Sequence, residues 1–229
     1  MIALITPTGC RPDQIKLCER WMQSQTYTGE VTWILIDDCE DKTIENISRD
    51  GWDLIKIYPE PKWEYGQNTQ ARNIAEGINI CKTLQPDAIF IIEDDDYYKP
   101  IYLDEMMKRL PGFQIIGELN TIYYNIYFKK WVVNGNDKWS SLFQTAFTPD
   151  VIPLFEQCYS EQFIDFVFFR LNARVNLFKA GNLSIGIKGA KGRYGIGAGH
   201  GNQMNMIFDN DYSKLKELIG NDYRYYCEL

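Results

Sequence analysis

The sequence predicts an α/β fold with a mostly parallel central sheet flanked by helices. Over roughly the first 100 residues, short apolar runs alternate with amphipathic segments in the order strand, loop, helix, which is typical of parallel sheets. Beyond residue 110 the runs become shorter and predict a smaller antiparallel part. Because no repeat or linker divides the 229 residues, we expect one domain with two halves, 1–110 and 111–229.

The elements of the first half follow from apolar spacing and from turn residues. Ile15, Cys18 and Met22 recur at helical spacing, and Asp13 is the expected cap of their helix. A loop is expected where the first strand meets Thr-Pro-Thr-Gly. The expected strands are 1–5, 31–36, 54–58 and 88–92, and the expected helices are 13–26, 44–48, 69–82 and 100–110.

The second half has a weaker pattern. We expect a flexible loop at 181–202, because this segment is rich in glycine and carries several basic residues. The expected strands are 113–117, 121–128 and 131–133, and the expected helices are 160–172 and 211–219.

Composition narrows the class of protein. A formal charge of −7, from 24 basic and 31 acidic residues, is not typical of a nucleic-acid-binding protein. No apolar run reaches the length of a membrane-spanning helix, and the apolar stretch at the N-terminus is too short for a signal peptide, so we expect a cytoplasmic protein. The six cysteines form no CxxC pair and predict neither a zinc site nor disulfides: Cys10, Cys18, Cys39, Cys81, Cys158 and Cys227.

Polar residues follow three of the expected strands, at 6–11, 37–38 and 93–96. In an open parallel sheet, ligands bind beyond the carboxyl ends of the strands. The third segment, Glu93-Asp94-Asp95-Asp96, places four carboxylates directly after a buried strand. Such carboxylates repel one another, and Mg²⁺ or Mn²⁺ would resolve the repulsion. The alternative is a solvated acidic turn that caps the helix after Pro100.

Two further segments carry candidate functional residues. His200, the sole histidine, lies in a glycine-rich stretch and is either a metal ligand or an ordinary exposed residue. Lys188, Lys191 and Arg193 are either solvated or available to neutralise a diphosphate. Asp165 lies among aromatic residues, where burial would raise its pKa toward the range of a general base. It could equally lie on the surface, and Glu161 is the rival candidate.

Several enzyme classes are disfavoured by the absence of their motifs. The sequence contains neither a GxSxG nucleophile elbow nor a Walker A motif, and no GxGxxG follows the first expected strand.

The segment TPTGCRPDQIKLCERWMQSQTYTGEVTWILIDDC resembles the opening of family 2 glycosyltransferases. Ala71-Arg72-Asn73 resembles the family's Ala-Arg-Asn helix start, and EDDDYYKP resembles its acidic DxD segment. The resemblance covers residues 1–110; beyond them it consists of Asp165 before FVFFR and of His200. It implies a GT-A (Rossmann-like) fold and a metal-dependent, inverting transfer of a sugar from a nucleotide-diphosphate sugar, most typically a UDP-sugar.

The resemblance also implies roles for individual residues. Asp165 would be the catalytic base, although the family's Glu-Asp pair is Ile164-Asp165 here, and Glu93 replaces the usual first aspartate of the acidic motif. The nucleotide sugar would be bound by Thr6, Pro7, Arg11, Asp37 or Asp38, Arg72, Asp94, Lys191 and Arg193. The metal, Mn²⁺ or Mg²⁺, would be held by Glu93, Asp95, Asp96 and His200.

The acceptor is not defined by the sequence. Five aromatic residues either stack on an acceptor sugar or base or pack in the core: Tyr123, Tyr124, Tyr127, Trp131 and Trp139. The basic stretch 188–193 would suit hydroxymethylated bases of viral DNA, whereas the acidic net charge opposes DNA. Two other hypotheses are a nucleotidyltransferase and an inactive nucleotide-sugar-binding protein.

Overall fold

The computed structural model describes residues 1–192, 199–201 and 205–227. Across these described ranges, twelve strands follow one another along the chain. They are β1 (Ile2–Thr8), β2 (Val31–Asp37), β3 (Asp53–Ile57), β4 (Ala88–Ile91), β5 (Tyr97–Tyr98), β6 (Ile115–Glu118), β7 (Ile122–Asn125), β8 (Lys130–Val133), β9 (Thr145–Phe147), β10 (Val175–Phe178), β11 (Ser184–Lys188) and β12 (Ile207–Phe208).

Seven α-helices lie between or after these strands in the same described part of the chain. They are α1 (Pro12–Gln23), α2 (Gln70–Leu84), α3 (Tyr102–Arg109), α4 (Ile152–Glu156), α5 (Ile164–Phe168), α6 (Ser213–Ile219) and α7 (Tyr223–Cys227). Short 3₁₀ turns occupy Leu142–Gln144, Pro149–Val151 and Gly220–Asp222. None of the helices in the described ranges combines the length and apolar character needed to cross a bilayer.

The described strands form two sheets. The larger has the order β10-β6-β9-β4-β1-β2-β3 and is parallel except at β9, which runs antiparallel to β4 and β6. The smaller has the order β12-β8-β7-β11-β5 and is antiparallel except for the pairing of β7 with β11. This arrangement confirms the predicted α/β class, with a mostly parallel main sheet and a largely antiparallel second one.

The main sheet separates two apolar cores. Because successive side chains of a strand point to opposite faces, Ile2 and Leu4 of β1 enter one core, while Ala3 and Ile5 enter the other. Helix α1 covers the first core, and α2 covers the second. The central strands are therefore buried on both faces, as expected for parallel strands.

The chain crosses from the main sheet to the smaller sheet at the acidic segment. Strand β4 ends at Ile91, and after five intervening residues β5 begins an antiparallel pairing with β11. The amide of Ile92 donates to the carbonyl oxygen of Ile5, 2.9 Å away, so the segment leaves the main sheet beside β1. The four carboxylates therefore lie where the two sheets meet.

Three expectations for the first half were wrong in detail. Thr6, Pro7 and Thr8, expected as a loop, continue β1 and pair in register with β2 as far as Asp37. Helix α1 begins at Pro12, and its N-cap is Arg11, because proline suits the first helical position. The expected helix at 44–48 is a pair of turns, in which the amide of Glu45 donates to the carbonyl oxygen of Lys42 and the amide of Ile47 donates to that of Ile44.

The second half differs more from expectation. Within the segment expected to be a flexible loop, residues 184–188 form the buried strand β11. The helix expected at 160–172 is shortened to α5, after which turn bonds from Arg170 and Leu171 redirect the chain. The elements that were not expected are β5, β9, β10, β12, α4 and α7.

The expectation of unpaired cysteines was wrong for one pair. Cys10, which follows β1, forms a disulfide with Cys39, which follows β2. Their Cα atoms lie 5.1 Å apart because these two parallel strands are neighbours in the sheet. Cys18 and Cys81 are buried free thiols, as expected from their apolar helical faces, and Cys158 is also buried and free.

A tight helix–sheet contact at Gly77 gives a test of the packing. A Cβ at this position of α2 would lie 2.6 Å from Cγ2 of Ile5, a buried and branched side chain that cannot move aside. We expect Gly77→Val to lower the free energy of unfolding by about 1–3 kcal/mol through overpacking. Urea denaturation measures this loss. The control is Asn79→Val at an exposed position of the same helix, and equal losses in the two variants would contradict the packing.

Candidate active site

A cleft of about 1080 Å³ opens beyond the carboxyl ends of β1 and β4. Its floor is formed by Pro7–Arg11 and by Glu93, Asp94 and Asp95 of the acidic segment that follows β4, whereas Asp96 is buried and does not line the cleft. One wall is the loop before α2, and the opposite wall is the stretch 161–166, which includes the start of α5. Lys188 and His200 from the second half of the chain also line it. The cleft therefore brings together residues from both halves of the sequence.

Arg11 neutralises two of the carboxylates in the floor. Its guanidinium nitrogens lie 2.9 Å from Asp94 and 2.6 Å from Asp95. Asp94 also accepts a 2.6 Å hydrogen bond from the hydroxyl of Thr8. Burial would raise the pKa of Asp95, but the charges of Arg11 and Lys188 lower it below its ordinary value. Asp95 is therefore ionised at neutral pH.

Lys188, the last residue of β11, supplies the second buried counter-ion. Its ammonium lies 2.9 Å from Asp96, 3.4 Å from Glu93 and 3.5 Å from Asp95, and its side chain is only 4% exposed. Burial would lower the pKa of Lys188, but these three carboxylates raise it well above its ordinary value. Asp96 also accepts a 2.8 Å hydrogen bond from the backbone amide of Ile187, which holds β11 against the acidic segment.

The same three carboxylates fit a divalent cation. Glu93, Asp95 and Asp96 each offer an oxygen, and these oxygens lie within 4.8 Å of one another. Within the part of the chain that the structure describes, Oδ2 of Asp96 is buried without a hydrogen-bond partner, and the same is true of Nδ1 of His200. Burial and the charge of Lys188 lower the pKa of His200 to about 4, so its imidazole is neutral at physiological pH and able to bind a metal. The donor set suits Mg²⁺ or Mn²⁺.

Asp165 faces the cleft from α5. Burial raises its pKa to about 6, and the negative charge of Glu93 contributes to the same shift. The backbone amide of Phe166 donates a 2.9 Å hydrogen bond to Oδ1 of Asp165, which fixes the carboxylate. Glu161, the rival candidate, lines the same wall but is exposed to solvent.

Five of the described residues assigned to the nucleotide by resemblance do not line the cleft: Thr6, Asp37, Asp38, Arg72 and Lys191. The hydroxyl of Thr6 is buried and accepts a 2.9 Å hydrogen bond from the indole of Trp33. Asp37 accepts hydrogen bonds from the amides of Cys39 and Ile44 and from the hydroxyl of Thr43. It stabilises the turn after β2, because those donors would otherwise be unpaired.

Asp38 and Arg72 hold the loop that forms one wall. Arg72 donates to Oδ2 of Asp38 at 3.0 Å and to the carbonyl oxygen of Pro61 at 2.7 Å. Thr69 donates to the same carboxylate, and the amide of Trp63 donates to the carbonyl oxygen of Asp38. These contacts position a wall that sequence analysis did not identify. Its cleft-lining residues are Trp63, Tyr65, Gly66, Gln67, Asn68, Gln70, Ala71 and Asn73.

The basic residues that follow β11, Lys191 and Arg193, are not found in the cleft lining of the described residues. The carbonyl oxygen of Lys191 accepts a 2.5 Å hydrogen bond from Gln14 of α1, while its side chain is exposed and does not line the cleft. The neighbouring Gly192 does line it. Arg193 lies outside the described residues.

Of the five aromatic residues that could stack on an acceptor, some line the cleft and others do not. Trp139 lines the cleft and packs edge-on against Phe166, and Tyr123 lines it with its hydroxyl bonded to Ser141. Tyr124 is buried and donates to Asp209. Tyr127 and Trp131 do not line the cleft. Phe163, which sequence analysis did not single out for stacking, is partly exposed on the cleft wall.

The raised pKa of Asp165 predicts a pH-dependent stability. An aspartate ionises at about 3.9 in an unfolded chain, whereas the folded protein holds this proton up to a pH of about 6. The folded state is therefore destabilised as pH rises between these values, and Asp165→Asn escapes that loss. We expect the variant to gain on the order of 1 kcal/mol over the native chain between pH 4 and pH 7, after allowance for partial exposure. Urea denaturation at both pH values measures the gain; an unchanged difference would contradict the shift.

Comparison with known proteins supports the fold. A scan of protein-family models and a search of curated proteins gave no match. Among solved structures, TarS of S. aureus, a GT-A-type glycosyltransferase, superimposes with a TM-score of 0.63 at 12% identity over 81% of this chain and 36% of that chain. TarS 1–349 in complex with UDP-GlcNAc gives a TM-score of 0.59 at 14% identity over 84% of this chain and 60% of that chain.

The complex of TarS 1–349 with UDP gives the same TM-score of 0.59 at 13% identity, over 81% of this chain and 60% of that chain. The chain thus spans between about one third and three fifths of the TarS chains that it matches. Identities this low establish similarity of fold and not of residues. The chain has the fold of the GT-A-type glycosyltransferases.

Proposed function

We propose that this protein transfers a sugar from a nucleotide-diphosphate sugar to an acceptor hydroxyl, with inversion at the anomeric carbon and with a divalent metal. The observation that carries the proposal is the cleft itself. It combines a metal-competent acidic segment and a half-buried carboxylate of raised pKa at the carboxyl ends of a GT-A-type sheet. The donor is proposed to be a UDP-sugar, because the similar TarS structures contain UDP and UDP-GlcNAc.

The donor would lie between the floor and the loop before α2. Pro7 and the aromatic residues Trp63 and Tyr65 offer surfaces against which a base and ribose can pack. Arg11 lies beside Asp94 and Asp95, where it would also face the diphosphate. Asp38 and Arg72 support this part of the site by holding the loop.

The metal would be held by Glu93, Asp95 and Asp96, with His200 as a nitrogen ligand. When bound, Mn²⁺ or Mg²⁺ would neutralise charge on the departing nucleotide diphosphate. The protein places its own cations beside these groups: Arg11 pairs with Asp94 and Asp95, and Lys188 pairs with Glu93, Asp95 and Asp96.

Asp165 is the proposed general base. Its carboxylate would take the proton of the acceptor hydroxyl as that oxygen bonds to the anomeric carbon and the bond to the diphosphate oxygen breaks. A pKa of about 6 leaves it mostly ionised at neutral pH yet basic enough to accept the proton. Phe163 and Trp139, on the same side of the cleft, give a surface for an acceptor sugar ring.

Binding of the donor is tested by thermal denaturation with a panel of nucleotide sugars, with and without Mn²⁺. A ligand that binds only the folded state stabilises it by about 2.7 kcal/mol at a hundredfold excess over its Kd. We expect a metal-dependent rise in Tm with a UDP-sugar and a smaller one with other nucleotides. Absence of any shift, with every donor and with metal, would refute the proposal.

The role of Asp165 is tested by a matched pair of variants. We expect Asp165→Asn to lower kcat by about 10²–10⁴-fold and to leave donor Kd almost unchanged, because a base acts only in the transition state. Glu161→Gln, on the same wall, should retain activity. Turnover is measured as nucleotide diphosphate release with acceptor present. The opposite ranking of the two variants would make Glu161 the base; loss of donor binding in Asp165→Asn would contradict a purely catalytic role.

A further inference from the structure

Lys188 occupies the place that the proposed metal requires. Its ammonium lies within 3.5 Å of an oxygen of Glu93, Asp95 and Asp96, and these are the same three residues whose oxygens cluster within 4.8 Å. An ammonium donates hydrogens to these oxygens, whereas a metal takes their lone pairs directly. The two cations therefore compete for the same three carboxylates.

The surroundings of Lys188 hold its ammonium at the three carboxylates and also allow the ammonium to move away from them. Lys188 is buried, and among the described residues its counter-ions are these three carboxylates. It also lines the cleft, at the end of β11 and directly before Gly189, whose φ of +83° ends the strand. A lysine side chain has four flexible carbon–carbon bonds, so its ammonium can move within the cleft without movement of the strand.

We propose that Lys188 is an internal counter-ion that occupies the cation site of the free protein and yields it to the divalent metal when the donor diphosphate binds. The diphosphate oxygens provide Lys188 with new anionic partners, so the metal and the donor strengthen each other's binding. This inference rests on the proposed function, since it presupposes that a metal and a diphosphate meet in the cleft.

The charges of the site support this exchange. In the free protein, Arg11 and Lys188 oppose four carboxylates in the segment Glu93–Asp96. Addition of a divalent cation with Lys188 still in place would bring like charges close together at low dielectric. A diphosphate carries enough negative charge to accommodate both cations. Coupling of this kind is reciprocal: the donor must raise metal affinity by the same factor by which metal raises donor affinity.

The experiment measures Mn²⁺ binding to the purified protein by electron paramagnetic resonance of the free ion, with and without UDP. We expect Lys188→Met to bind Mn²⁺ at least tenfold more tightly than the native chain when UDP is absent. In the native chain, UDP should raise Mn²⁺ affinity at least tenfold, and in Lys188→Met this enhancement should shrink. Lys188→Arg, which keeps the positive charge, should bind Mn²⁺ no more tightly than the native chain.

The control is Lys179→Met, which makes the same change in net charge at an exposed position, and it should match the native chain. Circular dichroism checks that each variant folds, and Lys188→Gln replaces Lys188→Met if the latter does not. Equal or weaker Mn²⁺ binding by the neutral variant would overturn the inference while leaving the proposed function intact. If no variant binds Mn²⁺ even with UDP, metal dependence fails together with the inference, and UDP binding alone then decides the donor proposal.

Discussion

The cleft depends on the neutralisation of buried carboxylates by two cations from distant parts of the chain. Asp94, Asp95 and Asp96 are almost inaccessible to solvent, and isolated charges at such positions would cost several kcal/mol each. Arg11 arrives from the loop after β1, and Lys188 arrives at the end of β11. Each pairing also orders backbone: Arg11 is the N-cap residue of α1, and Asp96 holds the amide of Ile187. The contacts that neutralise the buried carboxylates therefore also dock the smaller sheet.

The first half of the fold was predictable because its strands and helices are regular and each is covered by its own core. Fully apolar strands and helical spacing identify β1, β2, β4, α1 and α2 within a few residues. The second half was less predictable because its signals are not local. Strand β11 lies in a glycine-rich stretch, and Gly186 is required there, since a Cβ would lie 2.5 Å from the ring of Tyr123. The disulfide was missed because its cysteines meet only through the pairing of β1 with β2.

The position of candidate residues in the cleft was predictable where one short segment carries several carboxylates, as in Glu93–Asp95, and where an aspartate lies among aromatic residues, as at Asp165. Sequence could not separate side chains that face the cleft from neighbours that face the interior. Asp37 and Asp38 are adjacent, yet one stabilises its own turn and the other holds a loop. The burial of Lys188 could not be predicted from the sequence, because its carboxylate partners lie more than ninety positions away along the chain. The part of the cleft wall around Trp63, which precedes the Ala71-Arg72-Asn73 motif, carries no motif of its own and is held by the bonds to Asp38 and Arg72.

The crossing of the chain between the two sheets has a consequence for variation in this protein. The carboxylates after β4 are the covalent bridge to β5, so their spacing is set by how the two sheets pack and not by the segment alone. Phe143 and Tyr98 pack edge-on, and Phe143 also contacts Tyr123, so these rings connect β5 with β7 across the intervening β11. A substitution among these rings would shift the distances between carboxylates without replacing any of them. Substitutions in this aromatic layer are therefore limited by the geometry that the cleft needs for its chemistry as much as by the stability of the fold.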